Sequence, residues 1–451
     1  MIPLMAQDAL GNEVGAASVA ALAGIDDFVT GFLAYEKKAA NIIAAADAAP
    51  DAGLAQIYAG FTWMFLEAEA APLMARTYFD RARAETPREA MMLKQLDRWI
   101  AGDIPAVQAI GEQIVAENPR DLTSVKLHQY FSFNRGDAAG MLRIARMAEG
   151  ATPDDPHLHG MIAFAHEQLN DIPAAEQAAR RALHLKRKEP WAQHALAHVM
   201  LSGGRVREGV DFLADASETW VDLNSFMYTH NWWHKALFHI SLGDHQAVFD
   251  AYDNHVWGIE PEYSQDQVGA VSLLARMEVA GMDVGDRWEK LAEYLKVRAT
   301  DTVQPFLTLQ YLYGLARAER DEADRLMQAI VDKAMTSIAF DRLVWHEVAL
   351  PAARGMLAHA RGNYPDAARW LGNAHPRMTE IGGSHAQRDL FGQLLLDAHI
   401  KTGNWEIARQ MLEMRRTWDP DGVPVNKALA KVYCKLGRAD DARETGLRLK
   451  A

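Results

Sequence analysis

Two pairs of histidines carry the clearest chemical signal in this chain: His194 and His198 in His-Ala-Leu-Ala-His, then His230 and His234 in His-Asn-Trp-Trp-His. Residues four apart share one face of a helix, so each pair presents two imidazoles on one stripe. Imidazole shuttles protons near neutral pH and often ligates metals, so such a patch could move protons, bind a metal or hold an anion. Chance is a partial rival, since 17 histidines in 451 positions supply roughly 0.6 pairs at this separation. A histidine in an apolar helix is also more often a hydrogen-bonded packing residue than a ligand. Nothing matches His-Glu-x-x-His, so no residue is assigned as a metal ligand, and a divalent metal is the lesser alternative.

A second segment, Ile-Gly-Gly-Ser-His-Ala-Gln-Arg-Asp, runs from Ile381 to Asp389. Ser384 and Gln387 have the spacing of a capping box, and Gly382-Gly383 frees the chain to enter the helix at an unusual angle. His385, Arg388 and Asp389 are left unexplained by that reading. A helix start beneath a glycine turn exposes N–H groups that favour anions, and Arg388 would add a bidentate fork for carboxylate or phosphate. Among weaker candidates, Trp345-His346-Glu347 could contribute a carboxylate, while Asp250, Asp253, Asn254 and His255 read as the end of a helix. Lys186-Arg187-Lys188 reads as a solvated helix end. No phosphate-binding glycine loop, serine nucleophile elbow or cysteine nucleophile motif is present.

The elements that must position these residues are helical hairpins. Gly102-Asp103, Gly136-Asp137, Asn170-Asp171 and Gly204-Arg205 follow one another at 34-residue intervals. That is the period of the tetratricopeptide repeat, whose units must stack on neighbours to bury their apolar faces. Ala163, Ala175 and Ala182 are echoed 34 residues later by Ala197, Gly209 and Ala216, as close helix packing requires. A fifth turn, Gly243-Asp244, comes 39 residues after Gly204, with the extra length in the link Trp220 to Met227. From Val256 to Thr336 the repeat fades, but helical periodicity persists over Gln265 to Ala280, Val284 to Arg298, Val303 to Ala316 and Asp321 to Met335. It returns with turns at Gly362-Asn363, Gly403-Asn404 and Gly437-Arg438. At the start, Asp26 to Ala46 reads as the first helix, Gly53 to Ala70 as the second, and Ala71 to Ala84 continues the pattern. No period-2 strand pattern occurs. The expected fold is all-α, a right-handed superhelical solenoid of tetratricopeptide-like hairpins in one continuous domain. Its parts are a helical cap over 1–87, regular repeats over 88–255, degenerate repeats over 256–342 and returning repeats over 343–451.

In such hairpins the first helix lines the concave side. Counting from Ala197 and Ala236 places His194, His198, His230 and Trp233 toward the groove, with His234 at its margin and Trp232 near the same patch. Composition bounds the partners: a net charge of −13 disfavours a general nucleic-acid or anionic-membrane surface. The single cysteine, Cys434, rules out an internal disulfide and suits a reducing cytosol. Met1 to Val14 does not read as a signal peptide, and no apolar stretch approaches a membrane span, so a soluble cytoplasmic protein is expected.

The repeat register, His-Ala-Leu-Ala-His-Val at 194–199, His-Asn-Trp-Trp-His-Lys-Ala-Leu at 230–237, Tyr-Asp-Asn-His at 252–255 and Gly-Gly-Ser-His-Ala-Gln-Arg-Asp at 382–389 together resemble the tetratricopeptide repeat protein 38 family, over nearly the whole chain. The histidine–aromatic and Gly-Gly-Ser segments are the specific part of the resemblance; the repeats alone match many unrelated proteins. It implies a fold and a cytosolic setting, and it implies similar polar groups at His194, His198, His230, Asn231, Trp233, His234, Gln387, Arg388 and Asp389. Within the motif, His385 stands where a small polar residue is commoner. Such groups suit a small-ligand or catalytic pocket better than a generic peptide groove.

The leading expectation is a binding protein whose concave groove captures a small polar or anionic ligand or a partner segment, with homo-oligomerisation open. Asn231, Trp233, Gln387, Arg388 and Asp389 would then contact the ligand. One alternative is an enzyme in which His194, His198, His230 and His234 supply general acid/base or metal-assisted chemistry on a small anionic substrate. The other is a pure interaction scaffold, in which both segments are packing devices.

Overall fold

The structure is a computed structural model that describes residues 6–338 and 340–449. The repeated Gly-Asp pairs show how the hairpins form. At each turn the first residue takes a left-handed backbone, with φ of +74° at Gly102, +68° at Gly136, +63° at Asn170, +68° at Gly204 and +70° at Gly243. The next N–H then reaches back five residues to close the helix: Asp103 to Arg98, Asp137 to Ser132, Asp171 to His166, Arg205 to Met200 and Asp244 to His239, all at 2.8 to 2.9 Å. That is a Schellman closure, which a left-handed residue permits. The aspartate side chain then starts the following helix, accepting from the N–H of Ala106, Gly140, Ala174 or Ala247. One dipeptide therefore ends one helix and begins the next.

The hairpins so formed include Pro87–Ile100 with Ile104–Glu117, Leu122–Phe133 with Ala138–Glu149, Pro156–Gln168 with Ile172–Leu185, and Pro190–Ser202 with Val206–Ser217. Later ones include Leu350–Ala360 with Tyr364–Ala374, His385–Lys401 with Trp405–Arg416, and Val423–Lys435 with Ala439–Arg448. Ala163, Ala175, Ala182, Ala197, Ala367 and Ala408 are all fully buried, where a larger side chain would push helices apart. At Gly209 a Cβ would come within 2.4 Å of the Phe238 ring. The fold class is all-α, of the tetratricopeptide-like solenoid type.

The degenerate stretch is helical close to where periodicity places it, as Ser264–Val279, Arg287–Leu295, Pro305–Arg317 and Glu322–Thr336. The start differs from expectation. The first helix is Val19–Ala34, capped by Ser18, and Tyr35 ends it with φ of +55° before a shorter helix at Asn41–Ala48. A two-residue antiparallel pair, Ala6–Gln7 with Glu13–Val14, precedes it.

The chain divides into two compact units, residues 1–196 with 218–227, and residues 197–217 with 228–451. In the first, the irregular link after the fourth hairpin is tied down. Leu223 bridges Glu36, the Asn224 N–H donates to the Tyr35 carbonyl at 2.7 Å, and buried Trp220 donates to Gln193 at 2.8 Å. Among the described residues of the second, a large apolar core runs from Trp233 to Ala398 and a smaller one from Leu396 to Tyr433. No helix among the described residues is long and apolar enough to cross a membrane.

Candidate functional site

Helix Ser225–Leu242 carries His230, Asn231, Trp233 and His234, and helix Pro190–Ser202 carries His194 and His198. Contrary to the open groove expected, all four histidines are buried: His194, His198 and His234 are 1% exposed and His230 is 8% exposed. Aromatic rings cover His194 and His230. Trp191 stacks on His194 at 4.5 Å, with Phe164 at 5.1 Å, and Trp233 stacks on His230 at 5.3 Å.

Within the second unit the imidazoles of His198, His230 and His234 converge. The His198 and His234 ring centres are 4.5 Å apart, those of His230 and His234 are 4.8 Å apart, and the ring nitrogens of all three lie within 4.8 Å of one another. His194 lies one turn before His198 on the same helix. Burial, and secondarily the neighbouring His198, pushes the His230 imidazole down to about 3, so it is neutral at physiological pH. Asn231, fully buried next to His230, has no hydrogen-bond partner among the described residues for either its amide oxygen or its amide nitrogen.

Trp232 leaves this patch. It stacks flat on His255 at 3.7 Å, under the Lys235 ammonium at 4.6 Å, and His255 in turn meets the Tyr228 hydroxyl at 2.6 Å. The other polar residues after that hairpin are also paired: Asp253 holds Arg287 at 2.6 Å and Asn254 donates to the Asp250 carbonyl. Exposed Glu347 pairs with Arg377.

The Gly-Gly-Ser segment forms its capping box. The Ser384 N–H donates to the Gln387 side chain at 2.8 Å, and the Gln387 N–H donates to the Ser384 hydroxyl at 3.2 Å. Gly382 and Gly383 both have positive φ, and a Cβ on Gly383 would strike the Phe306 ring at 2.6 Å. The other two side chains expected to meet a ligand also have partners inside the chain. Arg388 turns back to donate to the carbonyls of Gly382 and Gly383. Asp389 takes a two-pronged ion pair from Arg415 and a bond from Gln393 at 2.7 Å. Burial raises the Asp389 carboxyl, but Arg415 and then Arg276 outweigh it and hold it down to about 2.

The two segments meet through a residue that the motifs do not include. The Arg276 guanidinium lies 5.1 Å over the Trp233 ring and donates to the carbonyls of Ala386, at 2.6 Å, and Gln387. Its other donors go to the Ser272 carbonyl and hydroxyl, so among the described residues it bonds only neutral oxygens. Burial lowers it to about 10, with Asp389 opposing that shift and Arg415 adding to it. Its sequence signal is a lone charge in the apolar run Val-Ser-Leu-Leu-Ala-Arg-Met at 271–277, because an arginine inside a helix core needs a dedicated partner.

No protein-family profile matches the chain. Among solved structures, it is similar to a human IFIT1 dimer with m7Gppp-AAAA at 12% identity, covering 88% of this chain and 89% of that one, with a TM-score of 0.40. It is similar to yeast Tom70 at 12% identity, covering 96% and 89%, with a TM-score of 0.36. Values this low carry no ligand, partner or activity over to this chain.

Proposed function

We propose that this chain is a binding protein that takes a small polar ligand, preferentially an anion, among the buried side chains of helix Ser225–Leu242. Enclosure argues for a small ligand over a partner segment, because a peptide needs open surface and these imidazoles have almost none. The observation that carries the reading is the convergence of three buried imidazoles beside an asparagine with neither amide atom paired. An unsatisfied buried polar group costs about 1–3 kcal/mol, which a ligand offering one donor and one acceptor would offset. The Arg276 guanidinium, buried with only neutral oxygens as hydrogen-bond partners among the described residues, biases the region toward negative charge. General acid/base catalysis by His230 is disfavoured, since a group held near 3 is far from the neutral range where proton transfer is efficient. The resemblance to the tetratricopeptide repeat protein 38 family rests on these same segments and agrees with a polar small-ligand site in a cytoplasmic protein.

The test is thermal denaturation against a panel of carboxylates, phosphates and nucleotides, comparing the native chain with Asn231→Leu. A ligand at a hundredfold excess over its Kd stabilises by about 2.7 kcal/mol. The substitution removes the unpaired amide, so it leaves the free protein as stable or more so while abolishing the ligand shift. A panel that stabilises both proteins equally, or neither, overturns the proposal.

A further inference from the structure

We propose that His198, His230 and His234 bind a divalent transition-metal ion, and that the small anion of the preceding section is drawn to the charge this ion carries. The inference rests on that reading of the site and adds the chemical means by which the ligand is held.

Three features of the cluster support it. The first is distance. A tetrahedral ion with bonds of 2.0–2.1 Å to nitrogen holds its ligand atoms roughly 3.3 Å apart. Ring nitrogens already within 4.8 Å of one another reach that spacing by small side-chain rotations, without moving a helix. The second is arrangement: His230 and His234 sit one turn apart on Ser225–Leu242, and His198 comes from a different helix, so the ion would be gripped from two directions.

The third is ligand type. The three side chains offer only imidazole nitrogen, which suits zinc, copper, nickel, cobalt or iron and not magnesium or calcium, which take oxygen. Cys434, the only thiol in the chain, is exposed on another helix and takes no part. Three imidazoles bring no negative charge, so the bound ion keeps its full double charge in a buried setting. An anion drawn to the site would neutralise part of that charge. Trp233, stacked on His230 and itself under Arg276, fixes the ring orientation from outside.

The experiment strips the full-length chain with chelator and titrates it with cobalt(II), reading visible d–d absorption and metal per chain by elemental analysis. The expected result is about one cobalt per chain with the strong absorption of low coordination number, displaced by zinc. His198→Ala and His234→Ala should each weaken binding more than about 100-fold, beyond the 10–100-fold that losing a supporting residue costs. His234→Gln, with a side chain that still fills the site, serves as second variant should alanine disturb folding, and circular dichroism checks each. Absence of stoichiometric cobalt, or equal binding by native chain and folded variants, overturns the metal site. The thermal panel, run on stripped and loaded protein, separates the two readings. Ligand shifts in stripped protein that cannot bind cobalt sink the metal and spare the ligand site. Cobalt binding with no ligand shift in either form sinks the ligand and spares the metal.

Discussion

A buried histidine outside the candidate site shows what burial does to an imidazole here. His128, 2% exposed on helix Leu122–Phe133, has its Nδ1 3.4 Å from the Ser132 hydroxyl. Burial is the largest influence and lowers its pKa to about 4; Glu112 and Asp137 pull upward and Arg143 downward. Unfolding exposes a histidine with an ordinary value near 6.5, so between about 6.5 and 4 the unfolded chain binds a proton that the folded chain refuses. Stability is full above pH 6.5 and falls as the pH drops toward 4, by up to about 3 kcal/mol from this residue. Urea denaturation across that range should show His128→Gln with a shallower slope than the native chain; an unchanged slope would remove the claim. At this scale the sequence was legible where chemistry follows local spacing. The i, i+4 pairs and the Ser384–Gln387 box are helix-local, and both are found. Arg276 escaped notice because its carbonyl partners lie 110 and 111 residues away. The burial of the histidines escaped because the register gives a side chain's direction and not what covers it.

Among the elements, the hairpin turn does the most with the fewest residues, and its two residues have separable roles. Gly102 has φ of +74° and nothing within 4 Å of where a Cβ would stand, so any cost of a side chain there is purely conformational. Gly102→Ala should therefore cost about 1–2 kcal/mol, the penalty for an L-residue in the left-handed region, whereas Gly102→Asn should cost less because asparagine visits that region. The chain contains its own precedent, since Asn170 fills the equivalent position with φ of +63°. Equal losses for alanine and asparagine in chemical denaturation would refute this account. Because the turn chemistry is local, the hairpins could be read from the 34-residue spacing, and the degenerate helices from periodicity, to within a few residues. The first helix could not. Tyr35 has no glycine to mark its left-handed turn, which is held instead by its N–H to Gly31 and Phe32 and by the Lys126 amine 3.2 Å over its ring.

On the scale of the molecule, what periodicity cannot supply is long-range closure, and in the first unit an arginine provides it. Arg88 begins the first regular hairpin, is 4% exposed, and pairs with Asp121 at 3.0 Å and Asp8 at 3.2 Å while donating to the Glu13 carbonyl. It thus joins the amino-terminal strand pair to the second hairpin, with the Gly15 N–H on Glu89 and the Ala16 N–H on Glu85 as further ties. Opposite charges buried together gain little over an apolar filling, but breaking the set leaves uncompensated carboxylates, and that loss is about 3–5 kcal/mol. Arg88→Ala should show it. The sharper expectation concerns Asp8→Asn, which destabilises the native chain by removing a charge that Arg88 needs and relieves the Arg88→Ala chain by removing one that has no partner. The two substitutions should therefore be non-additive by at least about 1 kcal/mol, as groups in one network are, whereas independent sites add within about 0.3–0.5 kcal/mol. A double-mutant cycle in urea decides the matter: additive losses would mean that Arg88 is held by packing and that the amino-terminal segment is anchored by its backbone bonds alone.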